Sequence, residues 1–374
     1  MMKVCTLVGT RPEIIKLSEV IKLLDRYTDH TLIHTGQHYD YELHQVFFED
    51  LKLRSPDISL EASGSSAIET ISQSLVKFDE ILGSRNFDCV LVYGDTNSSL
   101  CTYAAKRRKI PIFHMEAGNR CFDERVPEEI NRKIIDHLAD VNLVITEHAR
   151  RNLLSEGIHS QYVFKVGSSM AQVLAANNLL ERDRSGILYK LSLTRSAYYL
   201  LSIHREENIE NPKYMHTLSR VVQKLTETFP VVMPMHPKTS NLFKKHHPAL
   251  QDEIHARKII LAPPFGFVDY IALQRSSYCT LSDSGTIFEE SDLLGFPAVT
   301  IRDSFERPEG LDNATLIVSD WNLENIQSAI QIAVETRNHS DSIDDYESFH
   351  TAQKVVKIIM SLTPKVRIQK YYSI

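Results

Sequence analysis

The sequence has few cysteines, no long apolar run and no signal-like amino terminus. Its five cysteines are odd in number and never spaced as Cys-x-x-Cys, which argues against a disulfide framework and a zinc site. No run approaches the ~20 apolar residues of a membrane helix, and the first residues predict a strand instead of a secretion signal. We therefore expect a cytoplasmic protein that does not bind membranes.

Signatures of nucleic acids, dinucleotides, ATP and metals are also missing. The longest basic run, Lys106–Lys109, is short, and the formal net charge is −6, so nucleic acid is not an expected partner. No Gly-x-Gly-x-x-Gly follows the first strand and no Walker lysine motif occurs, which disfavours a bound dinucleotide or ATP chemistry. His34, His38 and His44 are spread over a strand, a loop and a helix. We expect no cofactor and no metal ion.

What is present is an alternation of short apolar runs with helical stretches over 374 residues, which predicts doubly wound parallel sheets in two Rossmann-like domains. The first half has predicted strands at Val4–Val8, Thr31–His34, Cys89–Val92, Ile112–His114 and Leu143–Ile145. The second half has them at Tyr198–Ile203, Val231–Met235, Ile259–Leu261, Tyr278–Leu281 and Ala298–Ile301. We predict domains over residues 1–168 and 169–348, and a carboxyl-terminal helix and tail over 349–374 whose docking stays open.

Charged residues follow several strands of the first half. Gly9 allows a tight turn after the first strand, and Arg11 and Lys16 bring positive charge to a helix start, where an anion site and a solvent-facing turn are both reasonable. Asp95 follows a later strand as a helix cap or a catalytic acid. Glu116 follows the next strand, where a carboxylate is hard to explain by packing. Glu128 opens a helix, whose dipole alone could account for it.

The second half offers groups suited to a phosphate. His204 and His236 follow two predicted strands, although a lone histidine is more often structural. The run Ser284-Gly285-Thr286 stands between a strand and a helix, where backbone N–H groups and hydroxyls can bind phosphate. Glu290, one turn later, could accept hydrogen bonds from ribose hydroxyls, and Arg307 adds a guanidinium for a diphosphate. The two halves together predict carboxylate chemistry on a nucleoside-diphosphate ligand.

Eight motifs, in order and spacing, resemble the non-hydrolysing UDP-N-acetylglucosamine 2-epimerase family. They extend from about Val4 to Val318 and read GTRPEIIKL, TGQHYDYEL, YGDTNS, HMEAGNR, VPEEINR, IHREEN, SDSGTIFEE and ERPEG. The resemblance implies an α/β protein of the GT-B fold, with the site in the cleft between two Rossmann-like domains, and a homodimer. It also implies a UDP-sugar substrate and no nicotinamide. In this chemistry the carbon-2 proton is abstracted, UDP leaves carbon 1, and the glycal is reprotonated on its other face before UDP adds back.

The resemblance also assigns roles to individual residues. It implies that the acid/base carboxylates are Asp95, Glu116 and Glu128, and that His204 lies near the diphosphate. It places Glu290 on the ribose and Tyr270 against uracil. Positions that hold the phosphates or the sugar fall on Arg11, Lys16, His236, Ser284, Gly285, Thr286 and Arg307.

Three motifs depart from the enzymes that act on UDP-N-acetylglucosamine itself. Those enzymes usually carry Gln-His-Arg at 37–39, Leu-Arg-Thr at 119–121 and Arg-Arg-Glu at 205–207, where this chain has Gln-His-Tyr, Asn-Arg-Cys and Arg-Glu-Glu. The run HMEAGNRCFDERVPEEINRKIIDH looks more like the branch that makes UDP-N-acetyl-L-fucosamine from its 6-deoxy-L-talose 2-epimer for capsule and O-antigen synthesis. That branch typically has Asn where this chain has His38. We do not extend the parent family's allosteric activation to this chain.

The favoured interpretation is therefore a non-hydrolysing epimerase of the 6-deoxy-L-talose and L-fucosamine pair. Its alternatives are the UDP-N-acetylglucosamine to UDP-N-acetylmannosamine epimerase and a hydrolysing relative that releases UDP. A GT-B glycosyltransferase and a non-catalytic sensor are disfavoured by the carboxylates of the first half.

Overall fold

A computed structural model describes residues 1–36, 41–180, 185–209, 211–235, 243, 250–337 and 341–371. The chain divides into two units, one made of residues 1–177 with 344–374 and the other of residues 178–343. The division after residue 177 lies nine positions beyond the predicted boundary at residue 168.

The first unit is built on a seven-stranded parallel sheet of order β3-β2-β1-β4-β5-β6-β7. All five predicted runs correspond to strands, and β2 and β6 each begin two residues before their predicted positions. The two-residue β3 and the three-residue β7 were not predicted. The strands are β1 (Lys3–Val8), β2 (Asp29–His34), β3 (Ile58–Ser59), β4 (Cys89–Tyr93), β5 (Ile112–Met115), β6 (Val141–Val144) and β7 (Val163–Lys165).

Helices alternate with these strands along the first unit, as parallel pairing of the strands requires. The first of them has Pro12 in its first turn, and Glu13 accepts hydrogen bonds from the backbone of Gly9 and Thr10. The helices are α1 (Arg11–Tyr27), α2 (Tyr41–Asp50), α3 (Ala67–Ser84), α4 (Thr102–Arg107), α5 (Pro127–Leu138), α6 (Glu147–Ser155) and α7 (Met170–Ala176).

The second unit repeats the plan with a six-stranded parallel sheet of order β10-β9-β8-β11-β12-β13. Its strands are β8 (Tyr199–Ser202), β9 (Val231–Pro234), β10 (Ile259–Ala262), β11 (Cys279–Ser282), β12 (Ala298–Ile301) and β13 (Ile317–Ser319). Its helices are α8 (Ile187–Lys190), α9 (Glu206–Ile209), α10 (Pro212–Leu225), α11 (Gln251–His255), α12 (Phe267–Ser276), α13 (Ile287–Leu294), α14 (Glu309–Asp312) and α15 (Leu323–Glu335). The predicted doubly wound parallel architecture is thus confirmed in both units.

The last helix, α16 (Thr351–Val366), belongs to the first unit and packs against α1. Arg367 forms an ion pair with Asp88 beside β4, and the hydroxyl of Tyr371 donates to Asp140 at 2.9 Å. These contacts settle the docking that the sequence left open. Among the described residues no helix is both long and apolar enough to cross a membrane.

The strand order locates the candidate sites. In each sheet the order reverses between two neighbouring central strands, β1 and β4 in the first unit and β8 and β11 in the second. Ligands of doubly wound sheets bind outside the carboxyl ends of the strands at such switch points. The loops after these four strands are therefore where each unit should hold its functional groups.

Candidate functional site

Glu116 directly follows β5 and has a backbone conformation that glutamate rarely adopts. Its φ is +63°, in the left-handed region, and its side chain is half-buried. The hydroxyl of Tyr93, the last residue of β4, donates to Oε2 of Glu116. Strained backbone of this kind persists where the surroundings enforce it and is common at functional sites. The carboxylate is thus held in one orientation at the carboxyl edge of the first sheet.

A buried polar network lies beneath Glu116 and fixes the loop that follows it. Asp136 accepts hydrogen bonds from the backbone of Gly118 and from Nη1 of Arg120 at 2.7 Å, and Nδ1 of His114 lies 2.9 Å away. Burial alone would raise the pKa of Asp136, but His114 and Arg120 outweigh it and lower that pKa. Nε2 of His114 donates to the carbonyl of Gly94 at 2.8 Å, which links this network to the loop that carries Asp95.

Asp95 follows β4 and is held by α5. Nε of Arg132 donates to Oδ2 of Asp95 at 2.9 Å, and Nη2 lies 2.7 Å from the same oxygen. The amide of Asn131 donates to the backbone carbonyl of Asp95 at 2.9 Å. Arg132 is buried and was not predicted as a site residue. The only indication in the sequence was that Arg132 is part of the VPEEINR motif.

The two glutamates at the start of α5 have different environments. Glu129 is fully buried and accepts hydrogen bonds from the backbone of Cys121 and Phe122, at 3.0 and 3.1 Å, as well as from Nη1 of Arg132. Glu128 is half-buried in the same first turn. Glu129 therefore has a structural role, and Glu128 remains the candidate for acid/base catalysis.

The loop after β1 is joined to the loop after β4. Gly9 accommodates no side chain, because a Cβ there would lie 1.8 Å from Oγ of Ser98. The hydroxyl of Thr96, next to Asp95, donates to buried Glu13, whose pKa is raised to about 7 by burial against the effect of its hydrogen bonds. The two predicted cations of this loop differ, since Lys16 is buried and Arg11 is half-exposed with its guanidinium 5.7 Å from the ring of Phe47.

In the second unit, the histidine after β8 is held by a carboxylate after β11. Nδ1 of His204 lies 3.0 Å from Oδ1 of buried Asp283, whereas 61% of the histidine side chain is exposed. Asp283 also accepts from the backbone of His204 and Arg205 and from the amide of Asn208. Burial raises the pKa of Asp283, but His204 and these donors lower it to about 2. Asp283 was not predicted as a site residue, although it lies within the SDSGTIFEE motif.

The turn after Asp283, residues Ser284–Thr286, leads directly into α13. The hydroxyl of Ser284 lies 3.1 Å from that of Thr286, and a Cβ on Gly285 would lie 2.5 Å from Oε1 of Glu306. Glycine avoids this contact without displacing the Glu306 carboxylate, and the turn stands at the start of a helix. Such an arrangement suits a phosphate group.

Four other residues of the second unit are predicted to bind the nucleotide. Glu290 is buried on α13 and accepts from the amide of Gln274 at 2.6 Å. Burial, and then the proximity of Glu290, raises the pKa of the Tyr270 phenol. Nη2 of buried Arg307 lies 3.4 Å from Oε2 of Glu289, and His236 lies outside the described residues. Among the described residues, no group of three His, Cys, Asp or Glu side chains could hold a metal ion.

Comparisons with known proteins agree with this arrangement. A family model described as UDP-N-acetylglucosamine 2-epimerase matches residues 22–360. A solved UDP-N-acetylglucosamine 2-epimerase from Rickettsia bellii is similar to this chain with 43% identity and a TM-score of 0.91, covering 100% of both chains. The Methanocaldococcus jannaschii UDP-GlcNAc 2-epimerase, solved with UDP-GlcNAc and UDP, has 30% identity and a TM-score of 0.88, covering 96% of this chain and 99% of its own.

Two further matches bear on substrate and fold. A UDP-2,3-diacetamido-2,3-dideoxy-D-glucuronate 2-epimerase from Pseudomonas aeruginosa is 33% identical over 82% of this chain and 84% of its own length. A glycosyltransferase structure from Rickettsia africae, 13% identical with a TM-score of 0.55 over 99% of both chains, shares the fold alone. These likenesses confirm the predicted GT-B fold.

Proposed function

The chain belongs to the UDP-N-acetylglucosamine 2-epimerase family and is a UDP-sugar 2-epimerase, an isomerase. On that premise we propose that it inverts carbon 2 of a UDP-linked 2-acetamido sugar by eliminating UDP and adding it back. One observation carries the proposal most directly. Two carboxylates, Asp95 and Glu116, follow neighbouring strands at the carboxyl edge of one sheet, and each is oriented by a dedicated donor.

The proposed reaction begins with removal of the carbon-2 proton by a carboxylate. The electron pair forms the double bond of a 2-acetamidoglycal while the bond from carbon 1 to the diphosphate oxygen breaks. A second carboxylate then delivers a proton to the opposite face of carbon 2, and UDP adds back at carbon 1. Asp95, Glu116 and Glu128 are the proposed acid/base groups, and reversal of the reaction exchanges the roles of the two that act.

The second unit supplies the groups that the leaving diphosphate needs. Because Nδ1 of His204 faces Asp283, its Nε2 is the nitrogen available to the departing oxygen. Fixed donors at a developing negative charge are usually the largest single contribution to such catalysis. We propose that Ser284, Gly285, Thr286 and Arg307 bind the phosphates, that Glu290 binds the ribose and that Tyr270 lies against uracil. Arg11, Lys16 and His236 complete the proposed set.

The sugar is the open part of the proposal. The motif around Glu116 favours the 6-deoxy-L-talose and L-fucosamine pair, whereas the family model and the solved relatives, named for UDP-N-acetylglucosamine, support the N-acetylglucosamine and N-acetylmannosamine pair equally well. The diacetamido relative shows that family members at about this identity act on different sugars. We further propose a cytoplasmic homodimer that serves capsule or O-antigen synthesis.

A parallel assay decides between the sugars. The purified protein is incubated with UDP-N-acetylglucosamine and, separately, with the 6-deoxy-L-talose UDP-sugar, and the epimer and free UDP are quantified by NMR. Faster epimerisation of the talose derivative supports the favoured pair, and faster conversion of UDP-N-acetylglucosamine replaces it by the alternative. Stoichiometric release of free UDP would move the protein to the hydrolysing class.

A further inference from the structure

A polar cavity lies at the amino edge of the sheet of the second unit, away from the residues described above. Its volume is about 240 Å³, and its lining includes Ser196, Ser277 and Pro297, which stand shortly before β8, β11 and β12. His204 and the Ser284–Thr286 turn follow the carboxyl ends of the same sheet. Because the strands are parallel, the two sets of residues lie at opposite edges.

The charged side chains that line this cavity are all cations. Arg195, Arg275 and Arg337 line it, and the described residues of the lining include no acidic side chain. Within the part of the chain that the structure describes, none of the three guanidiniums forms an ion pair, and Arg275 donates only to the carbonyl of Leu179, at 3.2 Å. By contrast, buried Arg120 and Arg132 each face two carboxylates. Three like charges around one cavity repel one another, and a bound anion would offset that repulsion.

Helix dipoles alone do not explain why three arginines line this cavity. Arg275 lies in the last turn of α12 and Arg337 follows α15, so each complements the negative end of a helix. Arg195, however, lies between α8 and β8 and belongs to no helix. Complementing separate helix ends also does not require the side chains to line one cavity.

The chemistry of the lining indicates the class of ligand. Guanidinium groups bind phosphate oxygens in a bidentate manner, and exposed Ser196 adds a hydroxyl. The volume is below the ~300–1,000 Å³ of sites that hold drug-sized molecules, so a small anion fits better than a whole nucleotide sugar. We propose that this cavity binds a phosphate group, either as inorganic phosphate or as the phosphate of a small monoester.

The test counts phosphate sites on the full-length protein. Inorganic phosphate and, separately, glycerol 3-phosphate are titrated by calorimetry in the presence and absence of UDP. We use the wild type, the double variant Arg195→Ala/Arg337→Ala and the control Arg220→Ala, which removes an exposed arginine of α10 in the same unit. Melting temperatures establish that the variants are folded.

We expect wild type and control to keep one phosphate site when UDP is bound, and the double variant to lose at least tenfold in affinity at that site. Binding of both anions identifies the phosphate group alone as the ligand, and selective binding of the ester shows that its organic part contributes. Equal phosphate binding by the double variant and the control, or no phosphate binding to the UDP-saturated wild type, would overturn the proposal.

Discussion

Arg132 contacts Asp95 through two nitrogens at 2.9 and 2.7 Å, and its third nitrogen donates to Glu129 at 3.0 Å. One buried guanidinium therefore orients a proposed catalytic carboxylate and a structural one at the same time. The pairing joins α5 to the loop after β4, where the proton transfer is proposed to occur.

We predict that Arg132→Lys lowers kcat more than it changes KM, because a point charge cannot hold Asp95 and Glu129 together. Arg132→Ala should also cost about 3–5 kcal/mol of unfolding free energy, since buried Glu129 would lose its nearest cation. Steady-state kinetics and melting curves measure both effects. Arg125→Ala, a change at a side chain that is 75% exposed, is the control. If Arg125→Ala lowered kcat and stability as much as the Arg132 variants do, the proposed role of Arg132 would be contradicted.

The amide variants Asp95→Asn and Glu116→Gln should strongly lower kcat and leave UDP affinity nearly unchanged. Each amide keeps the shape of the carboxylate but cannot accept the carbon-2 proton, and loss of general acid–base catalysis costs about 10²–10⁴ in rate. Kinetics and calorimetry with UDP separate the two quantities. If either variant retains near wild-type turnover, the residue that it replaces does not transfer the carbon-2 proton.

Glu290→Ala should weaken UDP binding by one to two decades. A hydrogen bond to a charged group contributes roughly 1.5–3 kcal/mol, and Gln274 holds the Glu290 carboxylate for such a contact. The exposed Glu335→Ala change on α15 is the control. Normal UDP affinity in the Glu290 variant would remove the ribose assignment.

Asp283 should act through His204, as a positioning residue. We predict that Asp283→Asn lowers kcat in the wild-type background but has little further effect on kcat in a His204→Gln background. If Asp283 only stabilised the loop, the two changes would be independent and their effects on kcat would multiply. The double-mutant cycle on kcat, with UDP affinity measured in parallel, distinguishes these outcomes.

Glu13 should make stability fall as pH rises toward neutrality. Its pKa is raised by burial from 4.5 to about 7, so between these values the unfolded chain has released a proton that the folded chain retains. The free energy of unfolding should therefore decrease by roughly 3 kcal/mol between about pH 4.5 and 7 and then level off. The melting temperature should no longer fall with pH in Glu13→Gln. It should still fall in Glu19→Gln, a change at a half-exposed residue of the same helix that serves as the control.

The sequence predicted the central strands because they are continuous apolar runs, as at Cys89–Val92, which the structure extends by one residue. Short edge strands such as Ile58–Ser59 escaped prediction because two residues carry no periodicity and this pair is only partly buried. The candidate residues themselves came from motifs at strand ends. Their partners Arg132 and Asp283 could not be found, since their importance depends on contacts between residues 37 and 79 positions apart.

The most direct test of elimination and re-addition is deuterium incorporation at carbon 2. The protein is incubated in deuterated water with each candidate UDP-sugar, and the sugar is followed by NMR. The account predicts deuterium at carbon 2 of an epimerised UDP-sugar with no net accumulation of free UDP. An epimerised product that retains its original carbon-2 proton, or no exchange with either substrate, would contradict it.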